Sequence, residues 1–405
     1  MRLSTNSIYS MSMQSILRQQ STVAEVGQQL ASGKKIVTPA DDPRAASQAL
    51  VVSQASAVNE QFTASRTAAR RSLSAEEAEL DQVTRALQAA TPLLVKAGND
   101  TLSDADRNSI ATELEGVYQQ LLGSANAQDG NGRYLFSGFD GDTQPFVESA
   151  GGVTYQGDQG RQQLQVDASR LMAVNDTGTA VFASVTESAQ YVGNAAATNQ
   201  GTGVYTALNV ADASADDYGN AFEVRFAESA GQTTYSVIDS TTGETLVEDQ
   251  PFVEGEAIAL GDSMRVSLKG TPADGDSFGF ARDRAEDNNI LNTISGVIDS
   301  LRSGTETPAR EAALTNTLNS AHRKLSNSLD NVLTVRASLG SRLNELDTLD
   351  TVGESRALNY ETTRSQLEDL DYVSAISEYS LAQVALQFSQ QTFTDIQKLS
   401  MFDIV

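Results

Sequence analysis

Apolar residues recur at alternating steps of three and four positions along the end of the chain. The series reads Tyr372, Ala375, Tyr379, Ala382, Leu386, Ser389, Phe393 and Ile396. Because an α-helix has about 3.6 residues per turn, this spacing keeps the series on one side of a helix. A helix with such a face cannot bury it against itself and needs another helix beside it. The end of the chain therefore predicts a helix that only a partner can complete.

A matching series lies near the beginning of the chain. It steps by four and three positions through Tyr9, Met13, Ile16, Gln20, Val23, Gly27 and Leu30. Two complementary faces at opposite ends predict that the ends pair in one helical bundle and that the remaining length loops out between them. In the C-terminal helix, Leu381, Val384 and Phe388 widen the apolar surface beyond the series.

Within one chain the two faces have only each other, so we expect neighbouring copies to bury part of them. We name the residues on which this expectation rests the assembly seam. They are Tyr9, Met13, Ile16, Val23, Leu30, Tyr379, Ala382, Leu386, Phe393 and Ile396.

Composition narrows the range of functions. The 405 residues include 53 acids against 28 Lys and Arg, for a formal net charge of −25. Phosphate binding needs basic side chains, so this balance argues against nucleic acid and anionic membranes as partners. The absence of cysteine excludes disulfides and thiolate sites. No apolar run reaches the roughly 18 residues of a membrane helix, and we expect no cleaved signal peptide at the start.

Further helical patterns follow the N-terminal series. The first helix should end near Ala31, with Gly33 in the left-handed position after it. The sequence Asp41-Asp42-Pro43 predicts a new helix start, with a carboxylate cap and proline in the first turn. A third helix is expected at residues 106–126. The second helix carries one leucine per heptad, which is typical of a coiled-coil stripe, at Leu73, Leu80, Leu87 and Leu94.

The period changes in the middle of the chain. Residues 134–136 are β-prone, and glycines punctuate the segments that follow. From Ala221 onward, apolar and polar residues alternate, and turn clusters stand at residues 230–231 and 242–243. This pattern predicts an antiparallel β module.

Helical patterns return near Asp287 and continue, after a loop expected at residues 350–354, to the end of the chain. The sequence therefore predicts an α+β fold. The N- and C-terminal segments should form an elongated helical bundle or coiled coil, from which a central antiparallel β-rich domain projects outward. The expected domains are 1–40 with 370–405 as the terminal helical pair, 41–132 with 286–369 as the long-helix bundle, and 133–285 as the outer β domain, divisible into 133–189 and 190–285.

Two groups of motifs resemble a known family. Leu30-Ala31-Ser32-Gly33-Lys34-Lys35-Ile36, followed by Asp41-Asp42-Pro43, resembles the N-terminal signature of the bacterial flagellins. A second group resembles the hook–filament junction branch of that family: Tyr134-Leu135-Phe136-Ser137-Gly138-Phe139, Gln144-Pro145-Phe146, Tyr155-Gln156-Gly157-Asp158, Asn175-Asp176-Thr177-Gly178 and Val181-Phe182. Residues 190–283 depart from the resemblance. The family-motif positions that we carry over are Leu30, Ser32, Gly33, Asp41, Asp42, Pro43, Phe136, Ser137 and Gly138.

The resemblance implies a structural subunit of the bacterial flagellum, joining a junction protein on the hook side to the flagellin filament. It implies a ring of copies that assembles through the terminal helices after export by the flagellar type III apparatus. It also implies a cytosolic export chaperone as a partner, a location outside the cell, no cofactor and no enzymatic activity.

Residues that could carry chemistry are better explained by structure. His322 is the only histidine, and its polar neighbours favour a helix surface over catalysis. Asp140 and Asp142 resemble the start of a calcium loop, but the required glycine and glutamate do not follow, so a turn is favoured. Asp274 and Asp276 favour a hairpin loop in the same way. We therefore expect no catalytic, cofactor-binding or metal-binding residues.

Three other functions are compatible with parts of the sequence. The chain could be filament flagellin itself, although the second motif group argues against this. It could be a secreted enzyme or adhesin whose activity resides in residues 190–283. The single histidine counts against an enzyme, while adhesion stays open. An intracellular coiled-coil scaffold would leave the β module unexplained.

Overall fold

The computed structural model describes residues 5–206, 208–229, 231–284 and 288–402, and the side chains of residues 5, 6, 8 and 396–402 fall outside this description. Helices occupy both ends and strands the middle, so the predicted α+β class is confirmed. The helices are α1 (Thr5–Ser32), α2 (Pro43–Ala97), α3 (Asp104–Ala125), α4 (Gly178–Phe182), α5 (Ile290–Arg302), α6 (Pro308–Glu368) and α7 (Tyr372–Phe402). The strands are β1 (Phe146–Ser149), β2 (Gly152–Tyr155), β3 (Gln163–Asp167), β4 (Arg170–Ala173), β5 (Tyr191–Ala195), β6 (Val204–Tyr205), β7 (Asn209–Val210), β8 (Phe222–Ser229), β9 (Gln232–Asp239), β10 (Glu244–Pro251), β11 (Ala257–Leu260), β12 (Met264–Lys269) and β13 (Ser277–Arg282).

The described residues form two compact units. The terminal unit takes the chain up to Ser65 together with the chain from Asp347 onward, and the central unit is Arg66–Leu346. Both α2 and α6 supply residues to each unit. The three-domain division stays a prediction. No helix among the described residues is long and apolar enough to cross a membrane.

In the terminal unit, α1 lies against α7, and α2 contacts the last part of α6. The side chain of Asn59 is buried and donates a hydrogen bond to the carbonyl of Gly353 at 3.0 Å. α6 runs unbroken through residues 350–354, so the loop expected there was wrong. A glycine inside a helix costs only about 1 kcal/mol relative to alanine, so Gly353 does not have to end α6.

The helical part of the central unit follows the heptad pattern. Each of the four heptad leucines of α2 has 3% or less of its surface exposed, as predicted. α3 lies against α5 and begins with a capping box. Ser103 Oγ accepts a hydrogen bond from Asp106 N–H at 3.2 Å, and Asp106 Oδ2 accepts one from Ser103 N–H at 3.1 Å. These bonds satisfy donors that a bare helix start would leave open.

Two antiparallel sheets of the central unit share one apolar core. The first has the order β10-β9-β8-β13-β5, and the second has the order β11-β12-β6, with β7 paired to β12. Phe222, Val224 and Phe226 of β8 are buried, whereas the residues between them are not, which confirms the predicted alternation. The core also takes Val266 and Leu268 from the second sheet.

β10 is the outer strand of the first sheet, and it is irregular. Its pairing with β9 shifts register twice, between Thr245 and Val247 and again before Gln250. Asp249 adopts a positive φ of 48°, which is uncommon for a residue other than glycine. The strand ends at Pro251, which has no N–H to offer.

Two short hairpins, β1–β2 and β3–β4, precede the two sheets. The β-prone residues 134–136 form no strand; Tyr134 makes only an isolated bridge to Gln128. Phe136 is fully buried instead and packs edge-on against Phe182, with ring centroids 5.3 Å apart. The strand propensity at these positions is therefore overridden by an aromatic contact distant in sequence.

Candidate functional site

The two halves of the assembly seam meet within one chain. The rings of Tyr9 and Phe393 lie 5.0 Å apart between centroids. A methyl group on Gly27 would contact the ring of Tyr379 at 3.5 Å, so α1 and α7 approach closely there. Ala375 and Ala382 of the C-terminal series are buried. The helices therefore use much of the seam to pack on each other.

Other seam residues are less enclosed. Met13 and Tyr9 keep 37% and 40% of their surface exposed. Apart from buried Ala382, the remaining members with described side chains are half-buried: Ile16, Val23, Leu30, Tyr379, Leu386 and Phe393. Ile396 lies in α7, but its side chain is outside the described residues. Val26, which the series did not include, is 4% exposed and is the most buried of the described side chains of α1.

α7 carries a second apolar face on the side opposite the seam. With about 100° per residue, these positions cluster on one arc and the seam positions on the other. Each side chain of this face has half or more of its surface exposed. We name it the outer face of α7; its residues are Val373, Ile376, Leu381, Val384 and Phe388. Sequence reasoning noticed three of these residues as a widening of the seam, but not that they point away from it.

The terminal unit exposes further large apolar side chains. On α1 they are Met11 and Leu17, and on α2 they are Leu50 and Val51, each more than half exposed. Soluble monomers rarely expose large contiguous apolar surface, and such surface commonly marks a site of protein association. The terminal unit therefore has the character of an interaction region.

Hydrogen bonds and an ion pair join the residues after α1 to the end of α6 and to the connection between α6 and α7. Lys35 N–H donates to the carbonyl of Glu368 at 2.6 Å, and Leu370 N–H donates to the carbonyl of Gly33 at 3.1 Å. Lys34 Nζ lies 2.9 Å from Glu368 Oε2. Gly33 has φ of 70°, and a methyl group there would sit 2.8 Å from the hydroxyl of Tyr372. The motif glycine is thus required both by its conformation and by its neighbour.

The motif residues Asp41, Asp42 and Pro43 build the start of α2. Asp41 Oδ2 accepts hydrogen bonds from Val37 N–H at 2.9 Å and Thr38 N–H at 2.7 Å. The bond from Thr38 N–H is the main reason that the pKa of Asp41 lies below its ordinary value. Asp42 Oδ1 accepts from Ala45 N–H at 3.0 Å and caps the helix. Pro43 is the first helical residue, as predicted.

The motif residues Phe136, Ser137 and Gly138 belong to a loop held by Asp158. The Asp158 carboxylate accepts hydrogen bonds from Phe139 N–H and Asp140 N–H, each at 2.9 Å. Gly138 has φ of 85°, and a methyl group on it would lie 2.3 Å from Asp158 Oδ1. Phe136 and Ser137 are fully buried. These residues shape the loop and offer no free reactive group.

The residues considered for chemistry occupy structural positions. His322 is exposed on α6 and lines a cleft of about 320 Å³. Asp140 Oδ2 accepts a hydrogen bond from Thr143 Oγ1 at 2.7 Å, as in a turn. Asp276 accepts from Ala273 N–H at 2.9 Å, and Asp274 from Glu228 N–H at 3.0 Å. Within the described part of the chain, no group of three or more His, Cys, Asp or Glu residues is arranged to hold a metal ion.

Comparisons with known proteins agree on one family. Residues 3–140 match the family described as the bacterial flagellin N-terminal helical region. Flagellar hook-associated protein 3 of Salmonella typhimurium is 36% identical over 404 residues, covering 100% of this chain and 99% of the relative. The protein of the same name from Escherichia coli is 37% identical over equal shares. The crystal structure of Xanthomonas campestris FlgL has a TM-score of 0.68 and 31% identity, covering 78% of this chain and 99% of that one.

The helical ends, the central β domain and the flagellin-type N-terminal region define the class as a structural protein of the flagellin type. More narrowly, the chain belongs to the family of flagellar hook-associated protein 3. The resemblance drawn from the sequence motifs is thereby confirmed.

Proposed function

We propose that this chain is a structural subunit of the bacterial flagellum that joins the junction protein on the hook side to the flagellin filament. Family membership supports the proposal, because the full-length relatives are named as flagellar hook-associated proteins. The role needs binding surfaces rather than a reaction, so it includes no enzymatic step.

The observation that carries the proposal is the outer face of α7. Leu381 and Phe388 are 75% and 69% exposed, on the side of the helix that α1 does not cover. Exposed apolar side chains of this size stabilise an assembly when a neighbour covers them, by about 25 cal/mol per Å² of apolar surface buried. We assign this face to contacts with adjacent copies in a ring, and the assembly seam to the α1–α7 pair that presents it.

A head-to-tail arrangement suits this face. When a patch on one copy meets a different patch on the next, the contacts repeat around a ring or along a tube. Exposed Met11 and Leu17 of α1 offer apolar surface that the outer face of a neighbouring copy could cover. The end copies of such a structure would present the same surfaces to the hook-side protein and to flagellin.

The proposal also includes the route to the assembly site. The subunit would be exported through the flagellar type III apparatus with the help of a cytosolic chaperone, and would assemble outside the cell. Support for these steps comes from the family alone.

Electron microscopy of a deletion strain tests the proposed junction role. We expect cells that bear hooks without filaments and release flagellin into the medium, and we expect the wild-type gene to restore filaments. Immunogold labelling of complemented cells should mark a single band where the filament meets the hook. Label along the whole filament would instead support filament flagellin, and normal filaments on the deletion strain would contradict the proposal.

A further inference from the structure

The outer module, residues 190–284, has its own apolar core. The buried side chains of that core come from the module's own strands, among them Tyr205, Phe222 and Phe280. Because the core is complete within the module, the module does not depend on a helix for its hydrophobic stabilisation. What attaches it to the helical part of the central unit is therefore a separate question.

One face of α6 meets the module with polar side chains. Their steps of four, three and four positions place them on one side of the helix. We name them the polar stripe of α6: Asn316, Ser320, Arg323 and Asn327. Asn316 and Asn327 are 3% and 1% exposed, which is rare for an amide unless its hydrogen bonds are satisfied.

Asn316 forms hydrogen bonds with the backbone at the edge of the second sheet. Its Oδ1 accepts a hydrogen bond from Tyr205 N–H at 3.1 Å, and its Nδ2 donates to the carbonyl of Gly203 at 2.9 Å. The Tyr205 hydroxyl donates to the carbonyl of Gly193 at 2.9 Å and lies 2.8 Å from Ser320 Oγ. The amide thus takes the place that a neighbouring strand would occupy beside edge strand β6.

Asn327 holds both points where the chain enters and leaves the module. Its Oδ1 accepts from Gln190 N–H at 3.1 Å, and its Nδ2 donates to the Gln190 carbonyl at 3.1 Å. The same Nδ2 lies 3.0 Å from Asp283 Oδ2. Arg323 donates to the side chain of Gln190 as well. One helical residue therefore bonds both to the first residue of the module and to a residue next to its end.

Open clefts border these hydrogen bonds. Clefts of about 320, 660 and 310 Å³ border the contact between α6 and the module, and each is lined in part by Asn316, Ser320 or Arg323. Residues of α2 also line the first cleft, and residues of α5 also line the second. Side chains that face such space lack the dispersion contacts of a packed interior. The attachment therefore has buried amides at its centre and open space beside it.

We infer that the polar stripe of α6 is a latch and that the outer module is a rigid arm, which swings away from α6 as one body when the latch opens. The inference follows from three features together: a module core that is complete without the helix, an attachment made of amide–backbone hydrogen bonds, and clefts into which the arm can turn. It does not depend on the proposed place of the protein in the flagellum.

Hydrogen exchange on the full chain tests whether the latch opens as a unit. In Asn327→Ala, we expect the amide of Gln190 to exchange on the order of tenfold faster, and the amide of Tyr205, at the other end of the stripe, to accelerate with it. Amides inside β8 should keep their wild-type rates. Acceleration confined to Gln190 would show independent contacts, and equal acceleration of β8 would show unfolding of the module; either result would overturn the inference.

Asn292 of α5 provides a matched control. It grips a strand in the same way, with Oδ1 accepting from Val153 N–H at 2.7 Å and Nδ2 donating to the Val153 carbonyl at 3.1 Å, but this strand belongs to the β1–β2 hairpin. Asn292→Ala should accelerate exchange at Val153 and leave Gln190 and Tyr205 unchanged. A common acceleration in both variants would reflect general loosening and would contradict the latch.

Distance measurements between spin labels provide a second readout. The chain has no cysteine, so Val253→Cys and Leu333→Cys, at side chains 55% and 43% exposed, give two specific labelling positions. We expect a narrow distance distribution in the otherwise wild-type chain and a broad one after Asn316→Ala and Asn327→Ala are combined. If that double variant does not fold, Asn327→Asp, which keeps the acceptor but places a charge beside Asp283, should broaden the distribution instead. A narrow distribution in a folded variant would refute the swing.

Discussion

The terminal and central units distribute their apolar surface differently. The central unit has continuous buried cores that contain Leu87 and Phe280, although some of its large apolar side chains, such as Phe139, are exposed. The terminal unit leaves Leu50, Leu381 and Phe388 more than two thirds exposed on its helices. The difference is consistent with a division of roles in which the central unit supplies stability and the terminal unit supplies the proposed binding surface. The predictions below test whether that separation is real.

Phe388→Asp should have the largest effect, the loss of assembly. In a covered contact the change removes about 2 to 3 kcal/mol of apolar burial and adds several kcal/mol for a desolvated charge, and every copy carries it. Because Phe388 is exposed in the free chain, monomer stability should change by no more than about 0.5 kcal/mol. Filament counts by electron microscopy and thermal unfolding of the purified chain measure the two effects. Phe388→Leu should keep filaments, and normal filaments on the Asp variant would remove the outer face of α7 from the contact.

Phe280→Ala should damage the central unit alone. Phe280 is 1% exposed and packs edge-on with Tyr205, with ring centroids 5.7 Å apart. Truncating a buried phenylalanine typically costs about 3 to 5 kcal/mol in the free energy of unfolding. Denaturant unfolding followed by tyrosine fluorescence should show this loss, while filaments still form at low temperature. If filaments vanish although the module stays folded, the two units are not separable in function.

Leu386→Asp should act on the terminal unit before any partner arrives. Leu386 is half-buried on the seam side of α7, one turn after buried Ala382. The charge should weaken the α1–α7 pair by about 2 to 3 kcal/mol, which partial exposure keeps below the cost of full burial. Limited proteolysis should then cleave near residue 30 faster than in wild type, and Leu386→Met should restore protection. Equal cleavage in all three chains would place Leu386 outside the contact between the helices.

Glu76→Gln should have the smallest effect, a gain in stability that grows with pH. Burial, and next the charge of Asp176, raise the pKa of Glu76 well above its ordinary value, while Arg342 and Arg161 oppose the shift. A folded-state pKa above the unfolded value means that stability is full in acid and falls as pH rises through the interval between them. Glutamine has no proton to lose, so the variant should gain on the order of 1 kcal/mol relative to wild type as pH rises from about 5 to about 8. Thermal unfolding across that range measures the gain, and a constant difference would mean that Glu76 does not titrate there.

The sequence predicted those features of the fold that are determined by residues close together along the chain. The burial of the heptad leucines and the alternation of β8 follow from periods visible within a few turns, and both were predicted. The β-prone residues 134–136 form no strand, and Phe136 packs instead on Phe182, a partner that no local pattern identifies. The loop expected at residues 350–354 is absent because α6 continues through Gly353, whose carbonyl accepts a hydrogen bond from Asn59, a residue far away in sequence.

At the candidate site, too, the sequence predicted one part of the arrangement and missed another. The spacing of the seam predicted that the two ends meet, and the Tyr9–Phe393 contact bears this out. The spacing could not say which side of α7 would stay open, because a helix that is apolar on two faces gives no sign of which face its own chain will cover. The latch residues Asn316 and Asn327 were missed for a related reason. A polar residue in a helix is normally read as a solvent-exposed position. The partners of these two asparagines are mainly backbone groups, which the sequence does not distinguish.

The irregular edge strand β10 affects how closely neighbouring molecules can approach without pairing their strands. A straight edge strand offers aligned N–H and C=O groups to any similar strand that approaches it. Shifted register, a left-handed Asp249 and a terminal Pro251 interrupt that alignment, and Glu244, Glu248 and Asp249 add like charges along it. Where many copies stand side by side, their outer modules can touch without merging into a common sheet. The exposed β surface can then diverge in sequence without promoting aggregation through this edge.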